Sequence, residues 1–145
     1  MDFFHRINKF IALGRGGDEG PRPVSRTAHG SAAEAAAVAW LQRQGLQLLV
    51  RNYKTPGRGG GEIDAIMRAA DGTLVFVEVR VRANSRHGGA AASIGSVKQR
   101  RIIHAAQQFL QRFPEMPPCR FDVMACDQPG PPWQWTWIVA AFDAA

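Results

Sequence analysis

A chain of 145 residues, 46% hydrophobic and 21% charged, is long enough for one domain with a real core and has the balance of an ordinary globular protein. No run approaches the ~18 apolar residues of a membrane span, and the N-terminal "FFHRINKFIAL" is too short and interrupted for a signal peptide, so no membrane partner is expected. Lysine and arginine outnumber aspartate and glutamate 18 to 12, leaving a net charge of +6; a surplus of that size points to a polyanionic partner, nucleic acid being the commonest.

In chain order, residues 1–28 read as a flexible leader, because "GRGGDEGPRPVSRTAHG" is rich in glycine, proline and charge. Residues 29–145 read as the domain. Its first helix is "SAAEAAAVAWLQRQG", with Ser31 and Glu34 at capping-box spacing and Gly45 as the stop. Val38 and Leu41 follow Glu34 at i+4 and i+7, which places the glutamate at the N-terminal end of the buried stripe. "LQLLVRNYK" (46–54) reads as a strand and "TPGRGGG" (55–61) as a glycine-rich loop carrying Arg58. Two strands follow, at about 62–68 and 74–82.

Ser96 is expected to cap a second helix with Ile102, Ile103, Ala106, Phe109, Leu110 and Phe113 on its apolar stripe. Pro114, Pro117 and Pro118 bring it to an end. Residues 119–126 alternate as a strand, and "WQWTWIVAAF" reads as a last one, with Trp133, Trp135 and Trp137 on one face as core or dimer interface. Cys119 and Cys126 share one strand on opposite faces, separated by about 23 Å at about 3.3 Å per residue. A disulfide needs Cα atoms within about 7 Å. Two unpaired thiols fit a reducing compartment, so a cytoplasmic location is expected. The order is α-β-β-β-α-β-β.

"GGGEIDAIMRAADGTLVFVEVRVR" raises the question of chemistry, because carboxylates are poor strand residues and are rarely buried without a partner. A hairpin centred on Asp71 pairs Arg68 with Leu74, Ile66 with Phe76, Asp64 with Glu78 and Glu62 with Arg80. Asp64 and Glu78 would then meet head-on, which is unfavourable for like charges unless a cation lies between them. A divalent ion such as Mg²⁺, which takes oxygen ligands and keeps water, does that task. Cross-strand ion pairs with Arg68, Arg80 or Arg82 are the structural alternative. Val75, Val77, Val79 and Val81 form an apolar opposite face that should pack on a helix. Asp122, between Arg120 and Met124, reads as a structural ion pair.

"GEIDAIMR…LVFVEVRVR", after a helix bearing Glu34 and before "GGAAASIGSVKQRRI" and "RFDVMA", resembles the YraN family of uncharacterised bacterial proteins over roughly residues 29–143. That family is similar to restriction-endonuclease-like nucleases and, within them, to archaeal Holliday-junction resolvases. The resemblance implies a mixed sheet flanked by helices and a D…E-x-K signature. It implies Asp64, Glu78 and Glu34 as ligands of Mg²⁺ or Mn²⁺. Arg80 holds the signature's lysine position, and with a pKa above about 12 it is a poor proton acceptor; Lys98 is then the candidate for the cationic task. Catalytic roles accordingly fall to Asp64, Glu78, Arg80 and Lys98, and phosphate contacts to Arg58, Arg82, Lys98 and Arg101. The leading expectation is a metal-dependent nuclease acting on DNA, branched DNA included. A non-catalytic nucleic-acid-binding module and a protein adaptor using the tryptophan strand are the alternatives, and a homodimer is allowed by either.

Overall fold

The computed structural model describes residues 27–57, 60–82, 94–128 and 130–144. Its elements are α1 (Thr27–Arg43), β1 (Gln47–Lys54), β2 (Glu62–Arg68), β3 (Leu74–Val81), α2 (Ser96–Leu110), β4 (Cys119–Cys126) and β5 (Thr136–Phe142). The strands form one sheet in the order β1-β2-β3-β4-β5. Neighbours are antiparallel except β3 and β4, which run parallel. Parallel neighbours need a crossover, and α2 lies within it. This five-stranded mixed sheet flanked by two helices is the restriction-endonuclease-like α/β arrangement that the sequence led us to expect.

Each helix covers one face. Ala37, Val38 and Leu41 of α1 pack on Ala65, Met67, Val75, Val77 and Met124, with Val79 partly buried beside them. Ile102, Ala105, Ala106 and Phe109 of α2 pack on Ile63, Ile66, Leu74, Phe76 and Phe121. The valine face of β3 thus meets a helix as expected.

The helix ends are fixed by local chemistry. Gly45, at φ 101°, closes α1: its N–H donates to the Gln42 carbonyl at 3.0 Å, and the Leu46 N–H donates to the Leu41 carbonyl at 3.1 Å. That bond pair is a Schellman motif, with Leu41 and Leu46 both in the core. The starts differ from expectation. Helix α1 opens at Thr27, so Ser31 is already one turn inside it and cannot cap, since a cap residue needs extended backbone. At α2 the cap position is Gly95, without a side-chain bond, and Ser96 is the first helical residue. Helix α2 also stops at Leu110, short of the prolines. Strand β5 begins only at Thr136, leaving Trp133 and Trp135 ahead of it. Residues 1–26, most of the expected leader, lie outside the described residues, as does Arg58.

Candidate functional site

The hairpin register holds from Arg68↔Leu74 through Ile66↔Phe76 to Ala65↔Val77, then the ladder ends. The expected pairs Asp64–Glu78 and Glu62–Arg80 are not formed; Glu62 instead stands 4.0 Å from Lys54. The reason lies in a change of face. Ile63 and Ile66, three residues apart, both pack under α2, whereas Ala65 and Met67 face α1. A strictly alternating strand would put Ile63 with Ala65, so β2 changes face at Asp64 while its register with β1 continues. Across from it, Asn52 of β1 has φ 51°, between Arg51, which pairs with Ala65, and Tyr53, which pairs with Ile63. Asp64 therefore sits in the splay. Its Oδ2 accepts the Val79 N–H at 2.8 Å, in place of a backbone carbonyl.

Glu78 follows Phe76 on the α2 side of β3, with its side chain only 5% exposed. Arg80 Nε lies 3.4 Å and Lys98 Nζ 3.5 Å from the same oxygen, Oε1. The other oxygen, Oε2, is buried without a hydrogen-bond donor, and Arg80 Nε is buried without a hydrogen bond of proper geometry. The Asp64 carboxylate beside Glu78 is another acceptor, so the two bond only when one holds a proton. Burial and then the Asp64 charge push the Glu78 carboxyl up to about 8, against the opposing pull of Lys98 and Arg80.

On the α1 side the same neighbour acts on Glu34. Burial, followed by the Asp64 charge, raises the Glu34 carboxyl to about 7, with Arg51 opposing and Glu62 adding to the rise. Arg51 Nη2 is 3.7 Å from Glu34 Oε2. Asp64 is thus the charged neighbour common to the two glutamates of the sequence-derived trio. Its members approach from both sides of the sheet. Among the described residues, no group of three or more His, Cys, Asp or Glu side chains is placed to hold a metal ion.

Lys98 reaches the cluster from the first turn of α2. Arg82 and Arg101 are exposed and, among the described residues, take no part in its ion pairs. Arg68, weighed as a partner of Glu78, lies at the far end of the hairpin, where its Nη2 donates to Gln47 Oε1. The two ends of the glycine-rich loop are tied to each other: the Gly61 N–H donates to Thr55 Oγ1 at 2.8 Å, and the Thr55 N–H to the Gly61 carbonyl at 3.1 Å. Arg51 is the residue that sequence reasoning missed. Its signal was cross-strand adjacency to the "EID" strand, which a lone polar residue in an edge strand does not advertise.

Asp122 supplies the contrast. It is fully buried on β4, yet Arg120 Nε donates to both its oxygens at 3.1 and 3.2 Å, Trp137 Nε1 to Oδ2 at 2.9 Å, and the Ala140 N–H to Oδ1 at 2.9 Å. It fills a register shift between β4 and β5, where Ala140 has φ 51°. The expected structural ion pair is what is found. The tryptophans serve the core: Trp137 meets Trp40 edge-on at 5.9 Å, and Trp135 packs on the α1 cluster while stacking on Trp133 at 5.5 Å.

Fold and site together define a restriction-endonuclease-like α/β protein with an acidic cluster at the splayed end of its central hairpin. The model of uncharacterised protein family UPF0102 matches residues 33–126, and the chain belongs to that family, the YraN family indicated by its motifs. A UPF0102 protein of Albidiferax ferrireducens is 62% identical over 115 residues, spanning 79% of this chain and 87% of the relative. One from Polaromonas naphthalenivorans is 54% identical over 130 residues, spanning 86% and 85%. One from Paracidovorax citrulli is 58% identical over 123 residues, spanning 85% and 88%. No solved structure matches. Among the described residues, no helix is long and apolar enough to cross a membrane.

Proposed function

We propose that this protein is a divalent-metal-dependent nuclease that binds nucleic acid, DNA in the first place and branched DNA among its forms, and hydrolyses phosphodiester bonds. The observation that carries this reading is Glu78 Oε2, a buried carboxylate oxygen without a donor beside a second carboxylate. Such an arrangement destabilises the fold, and the fully satisfied Asp122 demonstrates that this sheet can bury a carboxylate without it. Oxygen donors so placed fit Mg²⁺ or Mn²⁺, which need only one or two protein carboxylates. Asp64 and Glu78 would hold the ion, with Glu34 as a further acidic ligand; once bound, it supplies charge neutralisation and an activated water.

The chain's own residues do the remaining work. The Val79 N–H fixes the Asp64 carboxylate. Arg80 stays charged throughout and stabilises negative charge on a phosphate without accepting a proton. Lys98, 36% exposed at the side chain, would face a phosphate from the first turn of α2. Arg58, Arg82 and Arg101 would contact phosphates along the strand, positioning it without reading sequence.

The second reading is a non-catalytic nucleic-acid-binding module, favoured by the two cations that already share Glu78 Oε1. Titration of Mg²⁺ and Mn²⁺ over linear duplex, single-stranded and four-way-junction DNA separates the two. A nuclease yields metal-dependent products that Asp64→Asn abolishes. Binding at low salt with no product under either metal leaves the module.

A further inference from the structure

Arg51 is an arginine whose fork is uncommitted. Its described anionic partner, Glu34, stands 3.7 Å away, beyond hydrogen-bond length, and its Nε is buried with no partner at all. The side chain as a whole is 33% exposed although its Nε is buried. Its position is equally specific. Arg51 pairs across the sheet with Ala65, directly beside Asp64, on the face covered by α1. Arg80 and Lys98 stand on the α2 side, at Glu78. The acidic cluster is therefore flanked by cations on both sides of the sheet, one flank supplied by a residue outside the family motif.

We infer that Arg51 is an anion-binding residue of this site, gripping a phosphate group on the α1 side of the carboxylates, with Glu34 standing in for that phosphate when none is bound. The fork suits a phosphate because two parallel N–H donors can meet two oxygens, a geometry lysine cannot reproduce. A nucleic-acid strand crossing the splayed edge would meet Arg51 on one side and Lys98 with Arg80 on the other. The inference rests on the proposed function only in naming a nucleic-acid phosphate as the natural anion. Neighbouring Lys54 provides a control. It makes a looser pair with Glu62 at 4.0 Å and is 65% exposed.

The test uses the full chain with inorganic pyrophosphate as probe, in EDTA at fixed ionic strength, so that neither metal nor cleavage is involved. Pyrophosphate at ten times its dissociation constant should raise the parent's melting temperature by about 5 °C. Arg51→Ala should abolish that rise, Arg51→Lys should lose most of it, and Lys54→Ala should keep it. In parallel, Arg51→Ala should lower the slope of log affinity against log salt for a duplex oligonucleotide by about one. A purely structural ion pair would lower the melting temperature of ligand-free Arg51→Ala and leave both anion readouts unchanged, which overturns the inference. An unresponsive parent overturns it too, whatever the protein does to DNA with metal. A pyrophosphate response lost in Arg51→Ala upholds it even where no DNA is cut.

Discussion

Two aspartates in one sheet have opposite circumstances, and the difference predicts opposite responses to one substitution. Asp122 receives donors on both oxygens, so Asp122→Asn sets an amide against Arg120 and Trp137 and should destabilise by about 3 kcal/mol in denaturant unfolding. Among the described residues Asp64 receives a donor from Val79, and it stands between two glutamates whose carboxyls burial, and then its own charge, push upward. Asp64→Asn in metal-free buffer should leave stability unchanged or raise it. Relief of one pKa unit on either neighbour is worth about 1.4 kcal/mol. A clear loss would mean that Arg80 and its neighbours already neutralise the cluster, and would favour the binding module. The same glutamates set a pH dependence. Their folded values of about 7 and 8 lie above the ordinary 4.5, so the stability they lend is complete below about 4.5 and is lost as pH climbs through 7 and 8. The metal-free melting temperature should fall between about pH 5 and pH 8.5, and Glu78→Gln should flatten the upper part of that fall, where the groups facing Glu78 are Asp64, Arg80 and Lys98. At this scale the sequence betrayed Asp64 and Glu78, because charge in a strand is anomalous. It hid Arg51, because an arginine in an edge strand is not.

Among the elements, the contact that places α2 over the hairpin passes through Gly61. A Cβ there would overlap the Arg101 carbonyl oxygen and meet Ala105 Cβ at 3.1 Å. The glycine is needed for close approach of helix to strand, where the sequence alone offered a glycine-rich loop. Gly61→Ala should cost about 2 kcal/mol in denaturant unfolding and push α2 outward, carrying Lys98 away from Glu78. Element identities were legible because period and turn residues agree, and the 62–68 strand has the bounds read from sequence. Helix starts were not, since the residues before Ser31 are themselves helical. Nor was the change of face at Asp64. Alternation carried the pairing correctly from 68 to 65, and beyond that point Asn52 on a neighbouring strand and a side-chain bond to Val79 decide the geometry.

For the molecule as a whole, the net charge of +6 coexists with an acidic cluster at the sheet, so the proposed attraction to a polyanion would come from basic residues outside that cluster. Affinity for DNA should fall steeply with salt, and Lys98→Ala with Arg101→Ala should weaken binding to all sequences alike, as read by titration at several ionic strengths. The parallel pairing of β3 with β4 carries a further consequence, for the order in which the chain folds. Strands β1, β2 and β3 are joined by short connections, whereas β4 must be brought back across residues 82–118, a longer loop that closes with a greater entropic penalty. The acidic residues can therefore meet before the crossover delivers Lys98. During that interval the barrier includes their mutual repulsion without its nearest helical cation. Refolding in EDTA should accordingly be faster near pH 6 than near pH 8.5, with the pH effect reduced in Asp64→Asn.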